Sequence, residues 1–208
     1  MQHQECAVVR PEIILFDFGG VLAEEGFAAG LKAIARRFAI APDDFLDQVT
    51  ELIYQYGFVE GRATEKEFWD LVRERTQITG SDRQLTAEIL DRFILRPEMM
   101  AAVYRLQNSG VRVAILSDQT EWLDRLEQKY RFFAQFETVF NSYYLGITKR
   151  DPRIFSRVLN DLQVEAGRAL FVDDNAGHIA RAAAQGLQTH FFRSAGEFVA
   201  ELEARMMI

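Results

Sequence analysis

The sequence is poor in the residues that bind transition metals or cross-link secreted proteins. Cysteine occurs once among 208 residues, as Cys6, and histidine occurs three times. A single cysteine excludes both an internal disulfide framework and a metal site built from cysteines. Such a chain suits a reducing compartment, and we expect it to be cytoplasmic.

Long apolar runs and an excess of basic residues are also absent. No stretch approaches the roughly 18 consecutive apolar residues of a membrane span, and the opening MQHQECAVVRPE lacks the charged-then-apolar pattern of a secretion signal. The formal net charge is −7. Because nucleic acids and many membranes are anionic, this charge argues against either as a main partner. A local basic site for a small phosphorylated molecule remains compatible with it.

Four short apolar runs indicate buried strands. They lie at residues 13–16, 111–116, 169–172 and 189–192, with a weaker run at 138–141. Their length and their lack of strict alternation are typical of strands that are buried on both faces of a parallel sheet. Amphipathic helical patterns separate the runs. This alternation predicts an α/β fold with a doubly wound, Rossmann-like parallel sheet.

The segment from residue 22 to residue 96 interrupts this alternation. It contains apolar stripes at helical spacing and no convincing strand, and Thr64, Glu67 and Ser81 occupy positions typical of helix caps. We therefore predict an α/β core formed by residues 1–21 and 97–208, with an all-helical insertion formed by residues 22–96.

Polar residues follow three of the predicted strands at the point where each strand ends. Asp17 follows the first strand, Ser117 and Asp118 follow the second, and Asp173 and Asp174 follow the run at 169–172. Ligands of open α/β sheets bind at the carboxyl ends of the strands. A lone aspartate at such a position is usually a turn former or a helix cap, but three such ends in one chain indicate a site.

Lys149 adds a cation to these acidic residues, and the acidic residues themselves predict a metal ion. Clustered carboxylates repel each other unless a cation offsets their charge. A donor set of oxygen atoms, without cysteine and with few histidines, selects a hard ion such as Mg²⁺. The metal and the lysine would then hold a phosphoryl group for in-line attack.

Four segments resemble the ordered motifs of the haloacid dehalogenase (HAD) superfamily: IILFDFGGVL at 13–22, VAILSD at 113–118, GITKRDPRIF at 146–155 and FVDDNAGHIARAAAQG at 171–186. The helical insertion after the first motif corresponds to the small helical (C1) cap of subfamily I. FVEGRATEKEFW, at 58–69, resembles a segment of that cap. The chain is similar to the sugar-phosphate phosphatases whose first motif reads DxGxV.

The resemblance implies a role for each matched residue. Asp17 is the expected nucleophile, Ser117 is expected to bind the phosphoryl oxygens, and Lys149 to offset charge and orient Asp17. The expected metal ligands are Asp17, the carbonyl of Gly19, Asp173 and Asp174, and the expected substrate-binding residues are Ser117, Asp118, Lys149 and Gly20.

The implied activity is Mg²⁺-dependent hydrolysis of small phosphate monoesters through an aspartyl-phosphate, with sugar 1-phosphates among the candidate substrates. The expected partner is a small phosphorylated metabolite, bound by a monomer or a homodimer.

The first motif departs from the common pattern at Gly19. Most phosphatases of the superfamily carry a second aspartate there, which protonates the leaving group and later activates water. Three interpretations remain. The substrate has a good leaving group, as in anomeric or acyl phosphates; another acid substitutes, with Glu24 the nearest candidate in sequence; or the protein binds phosphorylated ligands with little turnover.

The dehalogenases of the superfamily are a further alternative, because they act without metal and also lack the second aspartate. They usually have tyrosine where this chain has Gly19, and the Asp173–Asp174 pair favours phosphate chemistry.

Four other positions have less definite roles. Arg150 replaces the usual proline after the lysine and is expected to face solvent, and His178 and His190 are expected to be structural. Asp118 stands where asparagine is common, so its role stays open.

Overall fold

The computed structural model describes residues 10–205 and 207–208, so Cys6 lies outside the described residues. Within them, five parallel strands form one sheet in the order β3-β2-β1-β4-β5. The strands are β1 (Ile13–Phe16), β2 (Arg112–Ser117), β3 (Val139–Asn141), β4 (Ala169–Asp173) and β5 (Gln188–Phe191). Each begins within one residue of its predicted run. The chain runs outward from β1 in one direction and then in the other, which confirms the doubly wound sheet.

Successive residues of the central strands pack on opposite faces of the sheet. On β1, Ile14 and Phe16 belong to one apolar core, whereas Ile13 and Leu15 belong to the other, and all four are fully buried. Because side chains alternate along a strand, a strand covered on both sides must be apolar throughout. This explains the uninterrupted apolar runs of the sequence.

Helices cover both faces. The first face packs against α5 (Pro97–Asn108), α6 (Trp122–Tyr130) and α10 (Ala195–Ala204), and the second against α8 (Arg153–Leu162) and α9 (Ala176–Ala184). A short helix, α7 (Ser142–Leu145), follows β3. None of the helices in the described part of the chain combines the length and the apolar character that crossing a bilayer requires.

Every residue between β1 and α5 is described, and this segment is helical as predicted. It contains α1 (Gly26–Arg37), α2 (Pro42–Gln55), α3 (Glu65–Thr76) and α4 (Asp82–Leu90). A short 3₁₀ turn at Phe58–Glu60 lies between α2 and α3. Capping boxes open α3, at Thr64 and Glu67, and α4, at Ser81 and Gln84. We call residues 22–96 the helical insertion; its status as a separate domain stays a prediction.

The two connections to the helical insertion run side by side. The amide of Glu24 donates to the carbonyl of Ile94 at 2.8 Å, and the amide of Arg96 donates to the carbonyl of Leu22 at 2.9 Å. This pairing resembles a short antiparallel ribbon. It holds the start of α1 close to the loop that follows β1.

An aromatic cluster joins the helical insertion to the sheet. Trp122, at the start of α6, meets Phe58 at 5.4 Å and Trp69 at 6.1 Å between ring centroids. These rings are almost completely buried. The Ser142 hydroxyl adds a polar contact by donating to the Val59 carbonyl at 2.7 Å. The helical insertion is therefore packed over the carboxyl ends of β1 and β2.

Candidate active site

Three side chains at adjacent strand ends, those of Asp17, Ser117 and Asp173, meet the side chain of Lys149 at one edge of the sheet. The Ser117 hydroxyl donates to Oδ1 of Asp17 at 2.6 Å. The Lys149 ammonium lies 2.9 Å from Oδ2 of Asp17 and 2.6 Å from Oδ2 of Asp173. Because β2, β1 and β4 are neighbours and parallel, residues that follow them in the sequence necessarily lie side by side. The predicted convergence of Asp17, Ser117, Lys149 and Asp173 is therefore observed.

Lys149 is held in place by its backbone as well as by its charge. Its amide donates to Oδ1 of Asp118 at 2.9 Å, and its carbonyl accepts from Nε of Arg181 at 2.7 Å. The side chain is 1% exposed. Burial alone would lower the pKa of Lys149, but the surrounding carboxylates outweigh it and raise that pKa. The ammonium is therefore a fixed charge of the site at any physiological pH.

Both oxygens of Asp173 are engaged by donors. Oδ1 accepts from the amide of Asn175 at 2.7 Å, and Oδ2 faces Lys149 and Nδ1 of His178, the latter at 3.2 Å. Burial would raise the pKa of Asp173, but Lys149 and His178 lower it to about 2. His178 also lines the cavity of the site, so its expected structural role stays a prediction.

The environment of Asp17 differs from that of Asp173. Burial raises the pKa of Asp17 to about 6, an effect that Lys149 and Ser117 only partly oppose. Its Oδ1 also accepts from the amide of Phe18 at 2.7 Å. Asp17 lines the cavity, whereas Asp173 does not. Of these two carboxylates, that of Asp17 is consequently the one that faces the cavity.

The acidic side chains at this edge fit a hard metal ion. Among the described residues, Asp17, Asp173 and Asp174 each offer a carboxylate oxygen, and these atoms lie within 4.8 Å of one another. A set of oxygen donors suits Mg²⁺. Asp174 is exposed to the cavity, as is Gly19, whereas the oxygens of Asp173 already have three partners. The predicted use of the Gly19 carbonyl stays a prediction.

Gly20 allows Asp174 to approach the loop after β1. Its φ is +80°, and a Cβ at this position would lie 2.0 Å from Oδ2 of Asp174. Both the conformation and the close approach require glycine. Gly20 does not belong to the residues that line the cavity, so its predicted contact with substrate stays a prediction.

Asp118 connects the site to the helical insertion. Its Oδ2 accepts from the hydroxyl of Tyr54 on α2 at 3.2 Å, and burial raises its pKa. The Arg150 guanidinium lies over the ring of Tyr54, 3.5 Å from its centroid, and pairs with Glu51; its side chain is 43% exposed, and its expected orientation towards solvent stays a prediction. With both oxygens of Asp118 accepting hydrogen bonds, its predicted contact with substrate stays a prediction.

The cavity above these residues has a volume of about 410 Å³. Its floor is made by the strand ends, and its roof by residues of the helical insertion. The roof residues include Phe27, Leu46, Asp47, Thr50, Ile53 and Tyr54. A cavity of this size suits a small molecule.

Glu25 also lines the cavity, and sequence reasoning missed it. Glu24, the candidate acid from the sequence, is exposed and pairs with Arg96 at 3.1 Å; it is not among the lining residues. Oε2 of Glu25 accepts from the amide of Ala28 at 2.6 Å and so caps α1. Burial, with added repulsion from Asp174 and Asp17, raises the pKa of Glu25 to about 7. No feature of the sequence distinguishes these two adjacent glutamates.

We expect Gly20→Ala to lower the free energy of unfolding by at least about 1–2 kcal/mol, because an L-residue is strained at positive φ and its methyl group would displace Asp174. Urea unfolding followed by circular dichroism measures the change. Gly167→Ala is the matched control, since no atom lies within 4 Å of the Cβ position there. Equal stability of the two variants would contradict this role of Gly20.

Comparison with known proteins agrees with the motifs. The sequence model of the haloacid dehalogenase-like hydrolases matches residues 11–186. Bifunctional epoxide hydrolase 2 of Rattus norvegicus is 24% identical over 214 residues, which cover 92% of this chain but only 38% of the rat protein. Glyceraldehyde 3-phosphate phosphatase of Pyrococcus abyssi is 27% identical over 203 residues, which cover 88% of this chain and 81% of that enzyme.

Solved structures share the fold. A HAD family enzyme of Bacteroides thetaiotaomicron superposes with a TM-score of 0.75 at 24% identity, covering 93% of this chain and 98% of that one. The same enzyme has also been solved in complex with magnesium and inorganic phosphate; that structure gives a TM-score of 0.70 at 24% identity and covers 89% of this chain and 96% of that one.

Proposed function

The chain belongs to the haloacid dehalogenase-like hydrolase family, and from this premise we propose that it hydrolyses small phosphate monoesters through a phosphoryl group carried transiently by Asp17. The observation that carries the proposal is the setting of this carboxylate. Asp17 faces the cavity, Ser117 donates to one of its oxygens, and Lys149 pairs with the other. A carboxylate that is fixed in this way is prepared for nucleophilic attack.

The relatives support phosphate as the group transferred. The Pyrococcus abyssi relative is a phosphatase by name, and the Bacteroides thetaiotaomicron enzyme binds magnesium and inorganic phosphate. In this chain, Asp17 and Asp174 would hold Mg²⁺, with Asp173 beside them. Bound there, Mg²⁺ would neutralise charge on the phosphoryl oxygens.

The chain's own residues account for two displacement steps. Asp17 attacks phosphorus, and the bond between phosphorus and the ester oxygen breaks. Ser117 and Lys149 offset the charge of the phosphoryl oxygens at the floor of the cavity. Water then attacks phosphorus and releases phosphate and a free Asp17. The helical insertion covers part of the cavity from above.

The charges of the cavity favour an alcohol part without a second anionic group. Among the described residues, one ammonium, that of Lys149, and no guanidinium lines the cavity. The lining carboxylates are those of Asp17, Glu25, Asp47, Asp118 and Asp174. Lys149 is engaged by the phosphoryl site. No other lining ammonium or guanidinium in the described part of the chain is left to offset a further negative charge near the roof. Monoesters of neutral sugars and polyols fit this cavity, and sugar 1-phosphates belong to that class.

We expect Asp17→Asn to reduce phosphate release to the level of a reaction without enzyme, because an amide oxygen cannot form the covalent intermediate. A panel of hexose 1-phosphates, hexose 6-phosphates, acetyl phosphate and p-nitrophenyl phosphate, each with Mg²⁺ and with EDTA, gives the measurement. Asp161→Asn, on the exposed side of α8, is the matched control. Undiminished turnover by Asp17→Asn, or turnover that persists in EDTA, would contradict the proposal.

Glucose 1,6-bisphosphate should be hydrolysed with a kcat/KM about tenfold or more below that of glucose 1-phosphate, because the second phosphate meets the acidic roof. Asp47→Asn removes one roof carboxylate. It should bring the two kcat/KM values closer together without changing the kcat/KM for glucose 1-phosphate. Equal kcat/KM values for the two substrates in the unmodified protein would show that the roof carboxylates do not select against a second phosphate.

A further inference from the structure

The proposed hydrolysis raises a question about one proton. When an ester of an ordinary alcohol is cleaved, the departing oxygen takes the electron pair of the broken bond and needs a proton, because an alkoxide is a poor leaving group. The proton donor must lie in the cavity within hydrogen-bond reach of the departing ester oxygen. The assignment of the residue that supplies this proton rests on the proposed function.

Most acidic groups of the cavity are already committed elsewhere. Asp17 is the nucleophile, and Asp174 belongs to the metal-binding carboxylates. Asp118 accepts from Tyr54 with one oxygen and from the Lys149 amide with the other. The Tyr54 hydroxyl itself donates to Asp118, and burial raises its pKa far above neutrality.

Glu25 differs from Asp17, Asp118 and Tyr54 because it lines the cavity and one of its oxygens has no partner in the described part of the chain. Oε2 is fixed by the amide of Ala28 at 2.6 Å, so the carboxyl group has a defined position. Oε1 makes no hydrogen bond to any part of the chain that the structure describes. It lies 3.6 Å from the place where a Cβ of Gly19 would be. Oε1 therefore lies beside the loop that carries Asp17, next to the position where most phosphatases of the superfamily have their second aspartate.

We propose that Glu25 is the catalytic acid that protonates the leaving alcohol. As the bond from Asp17 to phosphorus forms, the ester oxygen leaves with its electron pair and takes the proton from Oε1 of Glu25, which becomes a carboxylate. In the second step that carboxylate accepts a proton from the attacking water, and the acid is restored. The protons and electrons of the cycle balance without a further reactant.

The surroundings of Glu25 favour this assignment. Its carboxyl group is largely enclosed, at the edge of the cavity, and burial disfavours the charged form of such a group. Its neighbour Glu24 is exposed and paired with Arg96, which leaves no route from Glu24 to the cavity. The two glutamates are thus a natural test pair.

A purely structural role of Glu25, as the cap of α1, predicts a different result. Glu25→Gln keeps an oxygen for the Ala28 amide but carries no acidic proton. Glu25→Ser places a favoured capping residue before α1 and removes the carboxyl group. If Glu25 only caps the helix, both variants retain activity toward all esters.

The experiment compares leaving groups in the first turnover of the full-length protein with Mg²⁺. Glu25→Gln and Glu25→Ser should cleave glycerol phosphate and glucose 6-phosphate about 10²- to 10⁴-fold more slowly, which is the usual contribution of an acid or a base. The first release of p-nitrophenol from p-nitrophenyl phosphate should stay near the rate of the unmodified protein, because this leaving group needs no proton. Glu24→Gln should leave both rates unchanged.

The outcomes separate this inference from the proposed function. No phosphate release by the unmodified protein from any ester would overturn the hydrolase proposal itself. An active protein whose Glu25 variants keep the rate for glycerol phosphate, or lose the rates for both classes of ester equally, would leave the hydrolase intact and overturn the assignment of Glu25.

Discussion

The rest of the site depends on the two ion pairs that the buried ammonium of Lys149 forms with the carboxylates of Asp17 and Asp173. Two aspartates at the ends of neighbouring strands could not both stay ionised in an enclosed setting without a cation between them. The contacts at 2.9 and 2.6 Å supply that cation, and they join β1 and β4 to the loop before α8. Removal of one partner from such a buried pair typically costs about 3–5 kcal/mol. The same ammonium orients the carboxylate of Asp17. The contact between Lys149 and Asp17 therefore contributes both to stability and to the proposed chemistry.

The two glycines after Asp17 act differently. Gly20 takes a positive φ and allows the carboxylate of Asp174 to press against the loop, which brings the acidic side chains together. Gly19 carries no side chain beside the nucleophile, and Oε1 of Glu25, at the start of α1, lies 3.6 Å from the place where a Cβ of Gly19 would be. The acid thus comes from the helical insertion, whereas the nucleophile comes from the sheet. Because paired connections and an aromatic cluster fix the helical insertion on the sheet, the two groups are held at a defined separation.

The sheet and its carboxyl edge were predictable because they follow from local patterns. Buried runs ended at Asp17, Ser117 and Asp173, and parallel strands carry their ends to one edge. Glu25 and Tyr54 were not predictable, because their place in the cavity depends on how α1 and α2 pack over the sheet. Which of Glu24 and Glu25 faces the cavity depends on the residue at which α1 begins. The sequence does not reveal this start to within one residue. Tyr54 is a partly buried residue of α2, and only its contact with Asp118 distinguishes it.

The most direct test of the account is chemical trapping of the intermediate on Asp17. The protein is quenched with borohydride during turnover of p-nitrophenyl phosphate with Mg²⁺, and the peptide that contains position 17 is sequenced by mass spectrometry. Borohydride reduces an aspartyl-phosphate to homoserine, so the account predicts homoserine at position 17 and unmodified aspartate at positions 118, 173 and 174. Sustained hydrolysis with unmodified aspartate at position 17, or with homoserine at another position, would contradict it.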